Sequence, residues 1–375
     1  MKILIVTHYF LPHKGGIEFV AYNQAKELVK QGHQVTIVSS KIGDEPEEET
    51  MDGIKVRRVR AWNIFEKKLG VPYPIFYPKI FNIFNKEINN ADIVHVHDIF
   101  YLSPFFASLI ARLKKKPIIL MQHVKTVKHS KWFVNLIQWI VRKTYGRFIA
   151  NSSKKILVCN EDVGKWVNKP EKINFIENSV DINLFKPVEY KDKIKLRKKY
   201  NLPINKPIII FVGRLVEVKG FDKLFEARNK DYFILFIGDG KSSDLMKKDK
   251  NTLFLQSMDQ NKLKEFYQAS DIFCLPSKSE GFPLTVLEAM ASGLPIIVSD
   301  LPVYKKHLDT SNILIIKSNP DSVSPIDIEH SIRELINNKS LYKKMSDYSR
   351  KEAVKKFSWD NNVKKLIKIY NGVSK

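Results

Sequence analysis

Apolar residues follow two alternating patterns along the chain. Short, continuous aliphatic runs such as residues 3–6 are typical of strands that are buried on both faces. Segments such as residues 18–31 instead carry apolar residues at helical spacing and stop at Gly32, as helices often do. Because the two patterns alternate, the sequence predicts parallel sheets covered by helices. In the first half of the chain the predicted strands are residues 3–6, 35–38, 54–59, 93–97, 118–121, 156–159 and 173–176.

A polar, proline-containing segment at residues 181–205 interrupts this alternation. The pattern then restarts, and the chain ends in a predicted helix at residues 359–370. This organisation predicts two doubly wound α/β domains. We place the first at residues 1–186, joined by the returning segment 357–375, and the second at residues 187–356. The predicted strands of the second domain are 207–212, 233–237, 253–255, 272–275, 296–298 and 313–316, with a helix at 222–227.

The composition is that of a globular protein with a large positive charge. The chain has 375 residues, of which 44% are hydrophobic and 27% charged. These values exclude collagen-like, disulfide-scaffold and wholly disordered classes. Lys and Arg number 63 against 40 Asp and Glu, a formal net charge of +23. Such an excess favours an anionic partner, which is nucleic acid, an acidic membrane face or a phosphorylated substrate.

The cysteines and the apolar runs point to a cytoplasmic protein. Cys159 and Cys274 both fall in apolar runs that predict buried strands, so we interpret them as reduced core thiols. The N-terminal apolar run is too short for a secretory signal. The longest apolar stretches, residues 99–111 and 132–141, are shorter than the roughly 18–20 residues of a spanning helix. We therefore predict a soluble or peripheral cytoplasmic protein.

Residues 279–293 contain the strongest candidate for chemistry. Pro283 suits the first position of a short helix and Gly293 its C-terminal cap. Free amides at such a helix start can bind phosphate. Glu280 precedes the helix and Glu288 lies inside it, so both carboxylates fall near the sheet edge where α/β folds place ligands. From these residues alone, a capped helix with solvent-exposed carboxylates remains an alternative.

Glu280 and Glu288, eight residues apart and followed by Ala-Met-Ala-x-Gly, resemble the retaining glycosyltransferases of family four. That resemblance implies the GT-B fold, with two Rossmann-like domains facing a cleft and a C-terminal helix crossing back to the first domain. It also implies that the first domain binds an acceptor and the second a nucleotide-sugar donor. Other segments support it: residues 12–18, 178–181, 213–215, 219–220 and 238–240.

The resemblance also implies roles for individual residues. Arg214 and Lys219 would grip the donor diphosphate, Glu288 the ribose, and Glu280 would face the transferred sugar. Amides around the helix start would add hydrogen bonds, one fewer than usual because proline has no N–H. The predicted donor-binding residues are Gly15, Gly16, Arg214, Lys219, Phe282, Leu284, Thr285 and Glu288.

Histidines complete the predicted site. His123 resembles the histidine that the family places near the transferred sugar, so the predicted catalytic residues are His123, Glu280, Arg214 and Lys219. His95 and His97 point to one side of a strand, but no third ligand is evident and we predict no metal site. His97, at the strand end, could instead contact the acceptor or the donor. We expect no cofactor beyond a UDP- or GDP-linked sugar.

An aromatic and basic segment at residues 132–148 places apolar residues on one helical face and basic residues around it. Residues 62–84 are also rich in aromatic residues and lysine. Such segments suit an anionic membrane surface, although a core helix with a basic rim fits the same pattern. The sequence thus predicts a hexosyltransferase with a lipid-linked or polysaccharide-precursor acceptor, peripheral at the inner face of the cell membrane. The alternatives are a soluble GT-B enzyme with a small-molecule acceptor, an inactive relative, and a nucleic-acid-binding protein, for which no motif is present.

Overall fold

The computed structural model describes residues 1–13, 15–64, 66, 73–126, 132–240, 249–317, 319 and 323–374, without the side chain of Phe133. The chain forms two compact units. The first unit comprises Met1–Glu177 and Trp359–Lys375, and the second comprises Asn178–Ser358. The sequence predicts the boundaries between the two domains at residues 187 and 357, whereas the units change at Asn178 and Trp359.

The first unit is built on a nine-stranded sheet with the strand order β3-β4-β2-β1-β6-β7-β8-β9, and β5 pairs with β4. The long aliphatic runs form its parallel centre, as predicted. Two antiparallel additions, β3 on β4 and β5 on β4, were not predicted, because both strands are short and β3 is polar. The strands are β1 (Lys2–Val6), β2 (Gln34–Lys41), β3 (Glu48–Met51), β4 (Ile54–Trp62), β5 (Ile75–Phe76), β6 (Ile93–His97), β7 (Ile118–Gln122), β8 (Lys155–Val158) and β9 (Ile173–Phe175).

Helices cover both faces of this sheet, and the last helix of the chain belongs to this unit. Val363 and Leu366 of that helix are buried in the same core as Ile5. A π-helix at Arg142–Gly146 continues one helix into the next. The helices are α1 (Gly16–Lys30), α2 (Lys79–Asn90), α3 (Leu102–Leu113), α4 (Trp132–Val141), α5 (Arg147–Ser152), α6 (Glu161–Val167) and, at the end of the chain, α14 (Trp359–Val373).

The second unit has a six-stranded, fully parallel sheet with the order β12-β11-β10-β13-β14-β15. Its strands are β10 (Ile208–Val212), β11 (Phe233–Ile237), β12 (Thr252–Leu255), β13 (Ile272–Leu275), β14 (Ile296–Ser299) and β15 (Leu314–Ile316). Its helices are α7 (Tyr190–Lys199), α8 (Phe221–Glu226), α9 (Gln260–Ala269), α10 (Leu284–Ala291), α11 (Pro302–His307), α12 (Pro325–Asn337) and α13 (Lys339–Lys356). Helix α7 lies within the segment predicted only as an interruption.

Both sheets reverse their strand order at one point. In the first unit the reversal lies between β1 and β6, and in the second between β10 and β13. The loops that follow the carboxyl ends of two such strands form the crevice in which α/β sheets bind ligands. The predicted site residues Arg214 and Glu280 follow β10 and β13, and Gly15 follows β1.

The cysteines differ from each other in position. Cys274 is buried in β13, as predicted. Cys159 is only partly buried, and its assignment to a strand was wrong, because β8 ends at Val158. Among the described helices, none is long and apolar enough to cross a lipid bilayer.

Candidate functional site

The loops after β10 and β13 pack directly on each other. Gly220, in the first of these loops, has a φ of +70°, and a Cβ placed on it would lie 2.1 Å from the carbonyl oxygen of Pro276 in the second. The Lys278 amide also donates to the Val218 carbonyl at 2.9 Å. Because only glycine tolerates both the positive φ and this close approach, Gly220 allows the two loops to share one site.

An ion pair joins the two loops at this contact. The Lys219 Nζ lies 2.7 and 2.8 Å from the two carboxylate oxygens of Glu280. The Ser277 hydroxyl lies 2.6 Å from Glu280 Oε1 and donates to it. The Glu280 side chain is 5% exposed and that of Lys219 is 21% exposed. The ammonium therefore compensates a nearly buried carboxylate while remaining accessible to an anion from solution.

Arg214 follows β10 and is exposed. Among the described residues, no carboxylate pairs with its guanidinium. Its loop is held by neighbours, because the Leu215 amide donates to the Asp239 carbonyl at 2.8 Å. The Asp239 carboxylate in turn accepts the Ser257 amide at 3.1 Å. The backbone near Arg214 is thus fixed while its charge is left for an external anion, which a guanidinium binds strongly when the anion is a phosphate.

Helix α10 begins one residue later than predicted. Pro283 has an extended conformation and is the N-cap of the helix, not its first residue, so the predicted helical position of Pro283 was wrong. No side chain caps this end, which leaves the first amides, those of Leu284 and Thr285, available for an anion. Gly293, with a φ of +76°, follows the C-cap Ser292, in accord with the predicted stop.

The side chain of Phe282, a predicted donor-binding residue, is packed in the core. The φ of the residue is +84°, and its carbonyl accepts a hydrogen bond from Asn178 Nδ2 at 3.0 Å. The side chain is 1% exposed and stacks on the His307 ring with centroids 4.8 Å apart. The left-handed backbone is strained for a bulky residue, and this packing holds it in place.

Glu288 lies inside α10 and contacts neither of the two predicted cations. Its side chain accepts hydrogen bonds from the Tyr267 hydroxyl at 3.0 Å and from Gln260 Nε2 at 3.4 Å. The residue is 6% exposed, and burial raises the pKa of its carboxyl to about 7. Two donors from α9 thus orient a carboxyl that can accept hydroxyl groups once it is ionised.

In the first unit, the glycine pair lies at the start of α1. Gly15 is the N-cap, and a Cβ on it would lie 2.2 Å from Oε2 of Glu18, whereas one on Gly16 would meet nothing within 4 Å. Glu18 is 2% exposed, and its Oε1 lies 3.0 Å from Nδ1 of His13. The glycine at position 15 therefore makes room for a buried carboxylate.

His123 follows β7 in the same unit. Its Nε2 is 2.9 Å from Nδ1 of His97, and its backbone amide donates to Asp98 Oδ1 at 3.4 Å. Burial lowers the pKa of the His123 imidazole to about 4, so the ring is neutral at physiological pH. His97 is 0% exposed, so it supports His123 and does not itself face a ligand.

The structure therefore brings some predicted residues together and adds others. Lys219 and Glu280 are bonded, whereas Glu288 contacts Tyr267 and Gln260, which the sequence did not suggest. Tyr267 occupies an apolar position of a helical pattern, and nothing in the sequence distinguishes it from a core residue.

Family models match almost the whole chain in two consecutive parts. Residues 14–184 match Glycosyltransferase Family 4, and residues 192–352 match Glycosyl transferases group 1. The chain belongs to these glycosyltransferase families. It is 26% identical to an uncharacterized glycosyltransferase of Methanocaldococcus jannaschii, over 99% of this chain and 98% of that protein.

Two relatives with more specific names match part of this glycosyltransferase. A sulfoquinovosyl transferase of Arabidopsis thaliana is 28% identical over 52% of this chain and 40% of its own length. An alpha-galactosylglucosyldiacylglycerol synthase of Streptococcus pneumoniae is 27% identical over 58% of this chain and 63% of its own length.

Solved structures identify the fold of this glycosyltransferase as GT-B. Sucrose-phosphate synthase from Thermosynechococcus elongatus superposes with a TM-score of 0.73 at 17% identity, over 99% of this chain and 98% of that one. Anabaena HepE, solved in complex with UDP-glucose, superposes with a TM-score of 0.72 at 14% identity, over 99% of this chain and 100% of that one. At these identities the likeness establishes the fold and no more.

Proposed function

We propose that this glycosyltransferase is a retaining hexosyltransferase that moves a sugar from a nucleotide diphosphate donor to a lipid-linked or polysaccharide-precursor acceptor. The observation that carries the donor assignment is the set of anion-binding groups at the strand-order reversal of the second unit. Arg214, with no carboxylate partner among the described residues, and Lys219, which is partly exposed, accompany the uncapped start of α10 there.

These groups suit the chemistry of a diphosphate leaving group. As the bond between the sugar C1 and the phosphate oxygen breaks, negative charge grows on the diphosphate. Fixed cations and helix amides stabilise that charge most strongly where it develops. Arg214 and Lys219 would supply the cations, and Leu284 and Thr285 the amides.

The two carboxylates suit the remaining parts of the donor. Glu288, oriented by Tyr267 and Gln260, would accept the ribose hydroxyls. Glu280, beside Lys219, would face the sugar and stabilise the positive charge of an oxocarbenium-like transition state. In the retaining step the acceptor oxygen bonds to C1 on the face the diphosphate leaves, and the acceptor proton passes to a departing phosphate oxygen.

We infer that Gly15, Gly16 and His123 of the first unit also contact the donor. The N–H groups at the start of α1 can approach a phosphate closely where the residues are glycines. The neutral His123 ring can hydrogen-bond a sugar hydroxyl without adding charge. In this proposal the donor sugar is linked to UDP or GDP, and no metal takes part.

An exposed apolar helix supports a membrane-associated acceptor. In α4, Trp132 is 74% exposed and Trp139 56% exposed, and three aliphatic residues of the same helix are exposed as well: Leu136, Ile137 and Ile140. The basic residues Arg142, Lys143 and Arg147 follow directly in the chain. Apolar residues beside cations suit the interface of an anionic bilayer, and the partial relative named as an alpha-galactosylglucosyldiacylglycerol synthase points the same way.

A second aromatic patch strengthens the case for a peripheral position at the inner face of the cell membrane. Trp62, Tyr77 and Phe81 are each more than 40% exposed, and the rings of Trp62 and Tyr77 lie 5.1 Å apart. Lys79, which pairs with Glu47 at 2.8 Å, lies between Tyr77 and Phe81 in the chain and is 63% exposed.

The donor assignment is tested by thermal unfolding with a panel of UDP- and GDP-sugars. Ligand at about 100 times its Kd stabilises a protein by about 2.7 kcal/mol, so one nucleotide class should raise the melting temperature clearly. Glu288→Ala and Lys219→Ala should respond less, while Lys223→Ala, whose lysine pairs with Glu226 of the same helix, should respond like the wild type. If no nucleotide sugar shifts the transition and a nucleic acid does, the proposal is wrong.

A further inference from the structure

Three histidine rings form a column at the carboxyl ends of β6 and β7. The His95 and His97 centroids lie 4.7 Å apart with nearly parallel rings, and those of His97 and His123 lie 5.1 Å apart. His95 and His97 are both 0% exposed, whereas His123 is partly exposed. His97 is thus enclosed between one buried ring and the ring of the proposed catalytic histidine.

Hydrogen bonds fix both ends of this column. His97 Nδ1 lies 2.9 Å from His123 Nε2. His95 Nδ1 lies 2.6 Å from the Tyr370 hydroxyl of α14. The Nε2 atoms of His95 and His97 are buried and have no hydrogen-bond partner in the described part of the chain. Each buried ring therefore makes a single hydrogen bond, through Nδ1.

All three rings are neutral. Burial lowers the pKa of His95 to about 3 and that of His123 to about 4, and it holds the pKa of His97 well below its usual range. A neutral imidazole has one protonated and one unprotonated nitrogen. In the contact between His97 and His123, one ring must therefore donate and the other accept.

The two possible arrangements differ in what they leave buried. If His123 donated from Nε2, His97 would carry its proton on its own Nε2, as a buried N–H without an acceptor. If His97 donates from Nδ1, its Nε2 is an unprotonated lone pair. For the backbone, buried N–H groups without a partner are rarer than acceptors that lack one, and we apply the same preference to the ring. His97 therefore donates.

We propose that His97 is a positioning residue that holds His123 in the tautomer protonated on Nδ1. His123 then presents an N–H donor, not a base, and the ligand it suits is a hydroxyl oxygen of the transferred hexose. The assignment of that ligand rests on the proposed function, whereas the tautomer does not.

The free nitrogen of His123 is the one that a ligand can reach. Its Nε2 is occupied by His97, and no group in the described residues bonds its Nδ1. A donor at Nδ1 can orient a sugar hydroxyl without removing its proton. General-base catalysis by His123 would need the opposite tautomer, with an unprotonated nitrogen facing the substrate.

The direct test is nitrogen NMR of the wild-type protein labelled with ¹⁵N-histidine, without any nucleotide, at neutral pH. His123→Gln identifies the His123 signals. We expect the Nδ1 resonance of His123 to show a directly bonded proton and its Nε2 resonance to show none. A proton on Nε2, or rapid averaging between both nitrogens, overturns the proposal. The measurement needs no substrate, so its outcome does not depend on whether the proposed function is correct.

Two substitutions then test the consequence. His97→Asn keeps an amide N–H where Nδ1 lies, and His97→Phe keeps a ring without a donor. We expect His97→Phe to reduce turnover of the nucleotide sugar chosen by the binding panel roughly 10–100-fold, as for outer partners of other functional imidazoles, with the affinity for the nucleoside diphosphate unchanged. His97→Asn should restore most of the turnover. Equal losses in both variants, or no loss in His97→Phe, would contradict the positioning role.

If His97→Phe does not fold, the wild-type spectrum still decides the tautomer. If the spectrum shows the expected tautomer but no nucleotide sugar binds or turns over, the proposed function fails while the assignment of His97 stands.

Discussion

The two units use the same sheet topology to hold different kinds of groups. In the second unit, the loops after the two strands at the reversal point carry an ion pair, Lys219 with Glu280, and an exposed arginine, Arg214. In the first unit, the reversal strand β6 ends in the buried imidazole of His97, which contacts His123 after the neighbouring strand β7, and both rings are neutral. One fold thus carries an ion pair and an exposed cation in one unit and a neutral imidazole pair in the other.

The difference fits a division of work between the units. A nucleotide diphosphate needs cations, and a sugar hydroxyl needs oriented neutral donors and acceptors. The proposed function therefore assigns the phosphates to the second unit and contacts with the transferred sugar partly to the first.

The largest expected effect on turnover comes from removing a cation of the second unit. Lys219→Ala removes the partner of Glu280, whose side chain is 5% exposed, together with one cation for the leaving diphosphate. Loss of one group that stabilises developing charge lowers turnover about 10²–10³-fold. Turnover of the selected nucleotide sugar at saturation measures this effect.

Lys223→Ala is the matched control, since Lys223 pairs with Glu226 on the same helix. Lys219→Arg should keep part of the turnover because it keeps the charge. Full turnover in Lys219→Ala would show that the lysine serves only to neutralise Glu280.

A smaller effect concerns pH. Burial raises the pKa of Glu288 to about 7, so the carboxylate form, which accepts ribose hydroxyls best, becomes populated as pH rises through 7. Donor affinity should therefore increase from pH 6 to pH 8. In Glu288→Gln the affinity should be lower and should lack this increase, which calorimetric titration at both pH values would reveal.

The same carboxyl makes the stability of the ligand-free protein fall with rising pH, whereas it makes donor affinity rise. Between its ordinary pKa near 4.5 and about 7, the folded state binds a proton that the unfolded state has lost. The free energy of unfolding contributed by Glu288 therefore falls as pH rises over this window. Denaturant unfolding at pH 5 and pH 8 should show wild type losing stability relative to Glu288→Gln. A constant difference between the two proteins would contradict the assigned pKa.

The smallest expected effect lies on the apolar surface of the first unit, which has a role only if the acceptor is at a membrane. Trp139→Ser should weaken binding to anionic phospholipid vesicles at least about tenfold, since burial of a large apolar side chain is worth about 1.5–3 kcal/mol and about 1.4 kcal/mol is a factor of ten. Vesicle sedimentation measures this affinity. Ile326→Ser is the control, because Ile326 is 76% exposed but belongs to the second unit. An equal effect of both substitutions, or no vesicle binding by the wild type, would favour a soluble acceptor.

Much of the fold was predictable because local patterns determine it. The strands at 93–97, 233–237 and 272–275 were predicted at their observed bounds, since each is a continuous apolar run. Strand β3 was missed, because a short polar edge strand is determined by its pairing with β4 and not by its own residues.

The contacts among the candidate site residues could not be predicted from the sequence. Motif resemblance singled out Lys219, Glu280 and His123, but their partners depend on non-local pairing. Lys219 and Glu280 meet because Gly220 packs against Pro276. His97 meets His123 through the register of β6 with β7, in which His97 pairs with Met121. No pattern within one segment contains that information.

The division of work between the units is tested most directly by comparing two ligands. We would measure, by calorimetric titration, the binding of a nucleoside diphosphate and of the matching nucleotide sugar to the wild type, Arg214→Ala and His123→Ala. We expect Arg214→Ala to weaken the binding of both ligands equally and His123→Ala to weaken only that of the nucleotide sugar. Weaker binding of the nucleoside diphosphate in His123→Ala, or its undiminished binding in Arg214→Ala, would contradict this division between the units.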